Sequence, residues 1–233
     1  MLAMRLSLKT TLAGLFAGLA LIACAQGALA IVKLSGIRHS ITEVAINWMP
    51  SVVAINAIRS EVDQVRIKQY RLVTASSDAQ HRADNQRQYE TSLDRVAKVR
   101  TRYEALISSP EERRLYDAFA ASWSQYRRVG DDVQRMMAAG QQGEALEVLT
   151  GSRTVALYDA IRETLDRGVS LNESGAQRDA DAGVTNADAA TLTSWIAVGL
   201  AFAASLAATV LGMMRIARPL TQITRTTADL AAG

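Results

Sequence analysis

Arg59 and Arg66 stand seven residues apart, so on a helix they share one face about two turns apart. Paired guanidinium groups at that spacing can clamp a carboxylate, because each offers a planar fork of N–H donors. Thr150, Thr154 and Tyr158 recur at steps of four and can add hydroxyl donors to the same anion. Arg128 is a further candidate cation, with Arg71 behind it. A structural role competes at each position: exposed arginines pair with acids, and helical threonines bond back to carbonyls. Nothing else in the chain points to a reaction. His39 and His81 are isolated and read as solvated, and the acids read as solvated helix faces. No phosphate loop, nucleophile elbow or zinc-protease spacing occurs. The chain is therefore read as a non-enzyme without cofactor or metal, whose candidate residues bind rather than react.

Helices must position these residues. Ile41, Val44, Trp48, Ser51, Ile55, Ile58, Val62, Val65, Gln69 and Leu72 follow each other at steps of three and four, a seam along one helix face. Pro50 lies inside it and predicts a kink or local loosening near Trp48. Ser76-Ser77-Asp78 supplies turn and N-cap residues. A second helix is expected from about His81 to Ile107, with Tyr89, Leu93, Val96, Arg100, Tyr103 and Ile107 on one face. Ser109-Pro110-Glu111-Glu112 is a helix start, with Ser109 as N-cap and acids in the first turn. The third helix places Leu115, Phe119, Ser122, Tyr126, Val129, Val133 and Met136 inward and ends near Gly140. The fourth starts near Gly143-Glu144 and carries Thr150, Thr154, Leu157, Ile161, Thr164, Gly168, Leu171 and Gly175 on its seam. The expected fold is all-α, an up-down-up-down four-helix bundle.

Two uncharged runs, Thr10–Val32 and Ala189–Met214, are each long enough at about 1.5 Å per residue to cross about 30 Å of hydrocarbon. Trp195 suits an interfacial anchor at one end of the second run. The net charge is +3 and the sequence pI about 9.2, but position decides what that means. Between Lys33 and Asp188 stand 21 Lys/Arg and 22 Asp/Glu, whereas Arg5, Lys9, Arg215, Arg218 and Arg225 flank the runs against the single acid Asp229. Basic residues on the same side of both runs place both termini in the cytoplasm and the middle outside. The high pI is thus a membrane signature, not a nucleic-acid patch. The one cysteine, Cys24, excludes an intrachain disulfide. The first run also admits cleavage, at Ala28-Leu29-Ala30 or at a lipobox-like Leu21-Ile22-Ala23-Cys24; its length and the helical pattern leaving it favour a retained anchor. The expected organisation is a cytoplasmic tail (1–9), a first span (10–32), an exported sensor bundle (33–190), a second span (191–214) and a cytoplasmic segment (215–233).

This layout resembles the bacterial chemoreceptors, the methyl-accepting chemotaxis proteins with a four-helix-bundle sensing domain. Three features carry the resemblance: two spans bracketing a helical domain, the element Asn47-Trp48-Met49-Pro50-Ser51 followed by Arg59 and Arg66, and Arg218-Pro219-Leu220 after the second span. The last is similar to the opening of a HAMP linker, and Leu220, Ile223, Thr227 and Leu230 continue at heptad spacing. The chain departs from that family in stopping at Gly233, where the linker's first helix would end, so the family's second linker helix and long methylated coiled coil are not in it. The resemblance implies an inner-membrane homodimer, paired through its first helices, with the bundle in the periplasm. It implies a small ligand, an organic acid or amino acid, bound between helices in the membrane-distal half. Arg66 and Thr154 each lie ten residues from the distal end of their helices as read here, hence about 15 Å below it, with Tyr126 to Arg128 at similar depth. It further implies a small shift of the fourth helix along the membrane normal, passed to a linker and a cytoplasmic kinase with its adaptor. The same input architecture also serves histidine kinases and cyclic-nucleotide signalling enzymes. A receptor for a periplasmic protein, or a membrane-tethered structural bundle, are further readings.

Overall fold

The computed structural model describes residues 8–74 and 79–214. The turn at Ser76-Ser77-Asp78 and the linker element Arg218-Pro219-Leu220 lie outside the described residues. Among those described there are helices and no strands: α1 (Leu8–Thr42), a π-helical turn (Glu43–Trp48), α2 (Met49–Thr74), α3 (Ala79–Glu104), α4 (Pro110–Ala138), α5 (Gln142–Thr150) and α6 (Ser152–Gly212). The chain divides into two units, Ser40–Asp181 and a second made of Met1–His39 with Ala182–Gly233.

The first unit is the bundle. The α2 seam buries Ser51, Ala54, Ile55, Ile58, Val62, Val65, Gln69 and Val73, the expected heptad face from Ser51 to Gln69; beyond its ends Ile41 is exposed and Val73 is buried in place of Leu72. α4 buries Leu115, Tyr116, Phe119, Trp123, Tyr126, Val129 and Val133; Trp123 takes the place expected for Ser122, because the larger apolar surface gains more from burial. Tyr89, Val96 and Tyr103 of α3 and Ile161 and Leu165 of α6 complete the main core. A second cluster joins Val73, Val129 and Val133 to Ala145 and Leu149 of α5.

Local chemistry sets the element ends. Met49 N–H donates to Val44 O, five residues back, in the turn just before Pro50. A proline ring collides with the carbonyl four residues earlier and brings no N–H, and the widened turn accommodates both. Ser109 caps α4 and Glu112 closes the capping box. Glu112 is fully buried, and its Oε2 accepts from the N–H and Oγ of both Ser108 and Ser109 at 3.0–3.1 Å. At the far end, Gln141 N–H donates to Met136 O and Gly140 N–H to Met137 O. This is a Schellman closure, and Gly140 at φ 77° supplies the left-handed residue it requires. The expected fourth helix is in fact two. Gly151 adopts an extended conformation, φ −63° and ψ 148°, and splits α5 from α6.

In the second unit, each of the two long helices contains an apolar window of mean hydropathy 1.9, only 0 % and 6 % buried. Phe16, Ile31, Trp195, Phe202 and Leu206 are all more than half exposed. Apolar windows of this length, left largely uncovered, have the length and composition of membrane spans. Two helices able to cross a membrane thus flank the bundle in sequence. Lys33 Nζ donates to Asn186 Oδ1 at 3.3 Å within this unit.

Tyr126 Oη donates to Gln69 Oε1 at 2.6 Å and Gln69 Nε2 to Tyr89 Oη at 3.3 Å, a buried chain across α4, α2 and α3. A Cβ at residue 130 would lie 2.5 Å from Tyr89 Oη and 2.7 Å from Gln69 Nε2. Gly130→Ala gains up to about 1 kcal/mol of helix propensity but overpacks that chain at a cost of about 1–3 kcal/mol. We expect a net loss of stability, read as a lower thermal midpoint by circular dichroism. An unchanged or raised midpoint would show that the network yields.

Candidate ligand site

α2 and α6 run antiparallel with their contacts in step. Trp48 meets Gly175 and Asp179, Ile55 meets Gly168, Arg59 meets Asp166, Asp63 meets Arg162 and Arg66 meets Tyr158. The site grows from the upper part of this seam, where the apolar contacts give way to a polar and aromatic cluster.

Arg66 follows seam residue Val65 and turns its guanidinium over the Tyr158 ring, 4.0 Å from the centroid, with Tyr70 at 5.7 Å. Its Nη1 is buried without a hydrogen-bond partner. The ring contacts contribute about 0.5–2 kcal/mol, whereas a buried donor left unmade costs about 1–3 kcal/mol, more for a charged group. Packing alone therefore does not account for an arginine at this position. Tyr158 Oη donates to Asp63 Oδ1 at 2.6 Å and accepts from Arg162 Nη1 at 3.4 Å, while Arg162 stands 3.9 Å from Asp63. Tyr126 packs 6.2 Å from Tyr158, centroid to centroid. With Arg66 and Arg162 against Asp63, the cluster carries one excess positive charge, suited to a monoanion.

The tyrosines are neutral donors here. Burial lifts the Tyr126 hydroxyl above its ordinary value, with the Arg66 charge opposing. Burial also lifts Tyr158, reinforced by its bond to Asp63 and opposed by Arg162.

Of the six residues singled out by spacing, the structure brings two together, Arg66 and Tyr158. Arg59 pairs with Asp166 at 2.8 Å, both substantially exposed. Such a pair contributes about 0.2–1 kcal/mol, and it leaves that guanidinium already engaged. Thr154 is buried and donates to Val148 O at 2.6 Å, tying the start of α6 back across the Gly151 break. Thr150 is exposed on α5 and donates to Leu146 O at 2.8 Å. Arg128 is exposed on α4 and donates to Ser124 Oγ at 3.3 Å. These four are employed elsewhere. The cluster adds Asp63, Tyr70, Tyr126 and Arg162, and the one-turn steps Asp63/Arg66/Tyr70 and Tyr158/Arg162 were the signal that could have found most of them.

The raised tyrosines have a pH consequence. Tyr89, Tyr103, Tyr126 and Tyr158 are all shifted upward, chiefly by burial. The unfolded chain then loses phenolic protons first, near pH ~10. Their contribution is constant below that pH and falls as pH rises toward the folded values. We expect stability to drop by up to about 1.4 kcal/mol per pH unit for each fully buried tyrosine, Tyr89 and Tyr126. Melting curves above this pH should show tyrosinate absorbance rising together with helix loss; tyrosinate appearing while the helices persist would contradict the assignment.

No curated protein matches the chain. A family model does, over residues 5–187, a stretch that takes in the whole bundle unit and the whole of the first apolar run. The chain accordingly belongs to the family described as the four helix bundle sensory module for signal transduction.

Proposed function

We propose that this signal-transduction module is the sensing half of a bacterial chemoreceptor of the methyl-accepting type, set in the inner membrane with its bundle in the periplasm. Its ligand is a small carboxylate, an organic acid or amino acid, bound at Arg66 and Tyr158. The observation that carries the reading is the Arg66 Nη1, buried among tyrosines with no acceptor. Because that nitrogen is closed to solvent, a carboxylate reaches it only when Tyr158, and with it α6, moves relative to α2. Ligand contacts then differ between two arrangements, which is the condition for transmitting anything. Supplying the missing acceptor is worth about 1–3 kcal/mol, in the range of couplings that shift an equilibrium about 5- to 150-fold. α6 continues without a break to Gly212, and the proposed output is a HAMP linker starting at Arg218-Pro219-Leu220, then a kinase and adaptor.

A homodimer paired through α2 fits the same face pattern. Ile46, Met49, Val53 and, two heptads on, Ile67 are 67 %, 52 %, 53 % and 44 % exposed, an apolar stripe away from the buried seam. A second copy covers it with the same stripe, as two-fold symmetry requires.

Two measurements test the reading. Titrating the full chain in lipid nanodiscs with monocarboxylates and amino acids should find a saturable ligand. Arg66→Gln should weaken it roughly 10- to 150-fold, Tyr158→Phe by less, and Arg59→Gln or Arg128→Gln hardly at all. Wild-type affinity in Arg66→Gln removes the site. For the dimer, Val53→Glu should yield monomers in sedimentation experiments while Val53→Leu stays dimeric; equal behaviour of the two variants rules out pairing through this stripe.

A further inference from the structure

The opposite helix pair has a cleft of its own. Between α3 and α4 lies a space of about 340 Å³, lined by Leu93, Asp94, Ala97 and Arg100 from α3 and by Trp123 and Arg127 from α4. The helices run antiparallel here, since Tyr89 packs on Gly130 while Tyr103 packs on Tyr116. That register puts the levels of Arg100 and Arg127 about 12 Å apart along the axes, with Leu93, Ala97 and Trp123 between them. Trp123 is 5 % exposed and stacks on Tyr126, centroids 6.0 Å apart and planes at 22°. Its ring is a fixed wall rather than a mobile side chain.

The two cations differ in what they already hold. Arg127 has a carboxylate, Asp131, at 3.7 Å. Arg100 Nη2 donates to the Tyr116 hydroxyl at 3.3 Å and reaches a carboxylate, Glu104, only through it, at 3.4 Å. The rings of Phe119 and Tyr116 lie 5.6 and 5.7 Å from its guanidinium carbon, and its Nε is buried without a partner. A guanidinium in that setting lacks an anion. In the larger groove between α2 and α3, about 450 Å³, Lys68 donates to Gln88 and Arg87 to Asp84.

We infer that the α3–α4 cleft is a second binding site, for an aromatic carboxylate, with Arg100 taking the carboxylate and Trp123 the ring. The apolar middle, made of Leu93, Ala97 and the accessible edge of Trp123, selects an aromatic body, which meets the indole edge-on. The under-partnered guanidinium at one end selects the charge. Glu90 also lines the cleft, a carboxylate that accepts from Gln86 Nε2 at 2.6 Å. Asp94 adds a negative charge to the lining, so the carboxylate must sit at the Arg100 end. The site shares no residue with the Arg66 cluster, and the two meet only where Trp123 stacks on Tyr126.

The test uses the full chain in lipid nanodiscs with benzoate as probe and benzyl alcohol as its uncharged counterpart. Three tryptophans give three indole N–H signals by nitrogen-15 NMR, assigned with Trp48→Phe and Trp195→Phe. Benzoate should move the Trp123 signal saturably, with benzyl alcohol at least about tenfold weaker. Arg100→Gln should weaken benzoate about tenfold or more. Ala97→Phe, at an exposed position, should abolish the response by filling the cleft while leaving Arg100 in place. Arg66→Gln should leave the response unchanged. The inference is overturned if benzoate fails to move Trp123, if benzyl alcohol matches it, or if Ala97→Phe binds like the parent. A loss in Arg66→Gln equal to that in Arg100→Gln would equally overturn the independence of the two sites.

Discussion

The seam between α2 and α6 is the constraint from which the rest of the bundle follows. Its lower part is made close by two glycines. A Cβ at residue 175 would lie 2.7 Å from the Trp48 ring, and one at 168 would lie 3.3 Å from Ile55 Cδ1. The Trp48 Nε1–H also donates to Asp179 Oδ2 at 2.6 Å. Above, spacing is set by Arg59–Asp166, Asp63–Arg162 and the stacked Arg66–Tyr158 pair. The helix pair is thus in tight apolar contact below and in polar contact above. The π-helical turn before Pro50 belongs to the lower part, and Asn47 within it donates to Ser108 Oγ at 2.9 Å. That bond ties the same helix to the capped start of α4.

With one cysteine, exposed in the first apolar run, register within the bundle rests on non-covalent devices. Apolar heptads alone leave neighbouring helices free to slip by a turn at modest loss, because one aliphatic contact resembles another. Buried polar chains do not, since a slipped hydrogen bond becomes an unpaired group in a dry interior. The Tyr126–Gln69–Tyr89 chain fixes three helices in this way, and Glu112 fixes the α3–α4 connection through its four serine donors. All six tyrosines stand between Tyr70 and Tyr158, inside the bundle. Their distribution follows from needing rings that fill the core and hydroxyls that set its register.

Much of this fold could be read from the chain alone, for reasons specific to particular residues. Ser109-Pro110 with Glu112, and Gly140, mark helix ends because the chemistry is local to four or five residues. Pro50 forecast a disturbance near Trp48, and a π-helical turn stands there. The break at Gly151 was not legible. No proline marks it, and Thr150 and Thr154 continue a spacing that looks like an unbroken seam. At the candidate site the limit was of another kind. Arg59 and Arg66 are equivalent by type and by face, and only their partners on α6 separate them: Asp166 engages the first, while Tyr158 stacks on the second and accepts none of its protons. Such partners lie about a hundred positions away in the chain, and spacing along one helix carries no information about them. The threonines failed for the opposite reason, because their acceptors are so local that any helical threonine can find one.

On the proposed reading, magnitudes also decide what kind of movement the bundle can make. Separating α6 from α2 would expose Ile55, Ile58, Val62 and Val65, all buried to within 1 %, at about 1.5–3 kcal/mol each. One carboxylate bond to Arg66 cannot supply that. The polar rungs are a different matter. Each exposed ion pair is worth about 0.2–1 kcal/mol, and the Trp48–Asp179 bond, made to a carboxylate, about 1.5–3 kcal/mol, a total of the same order as the gain from satisfying the buried, charged Nη1. A displacement of α6 along α2 exchanges polar rungs while keeping the aliphatic faces covered, so it stays within the energy one ligand provides. Parting the helices does not. The placement of ligand-competent groups beside an aliphatic seam, rather than within it, therefore favours an axial slide, and the uninterrupted course of α6 to Gly212 means that such a slide is not absorbed by a loop along the way.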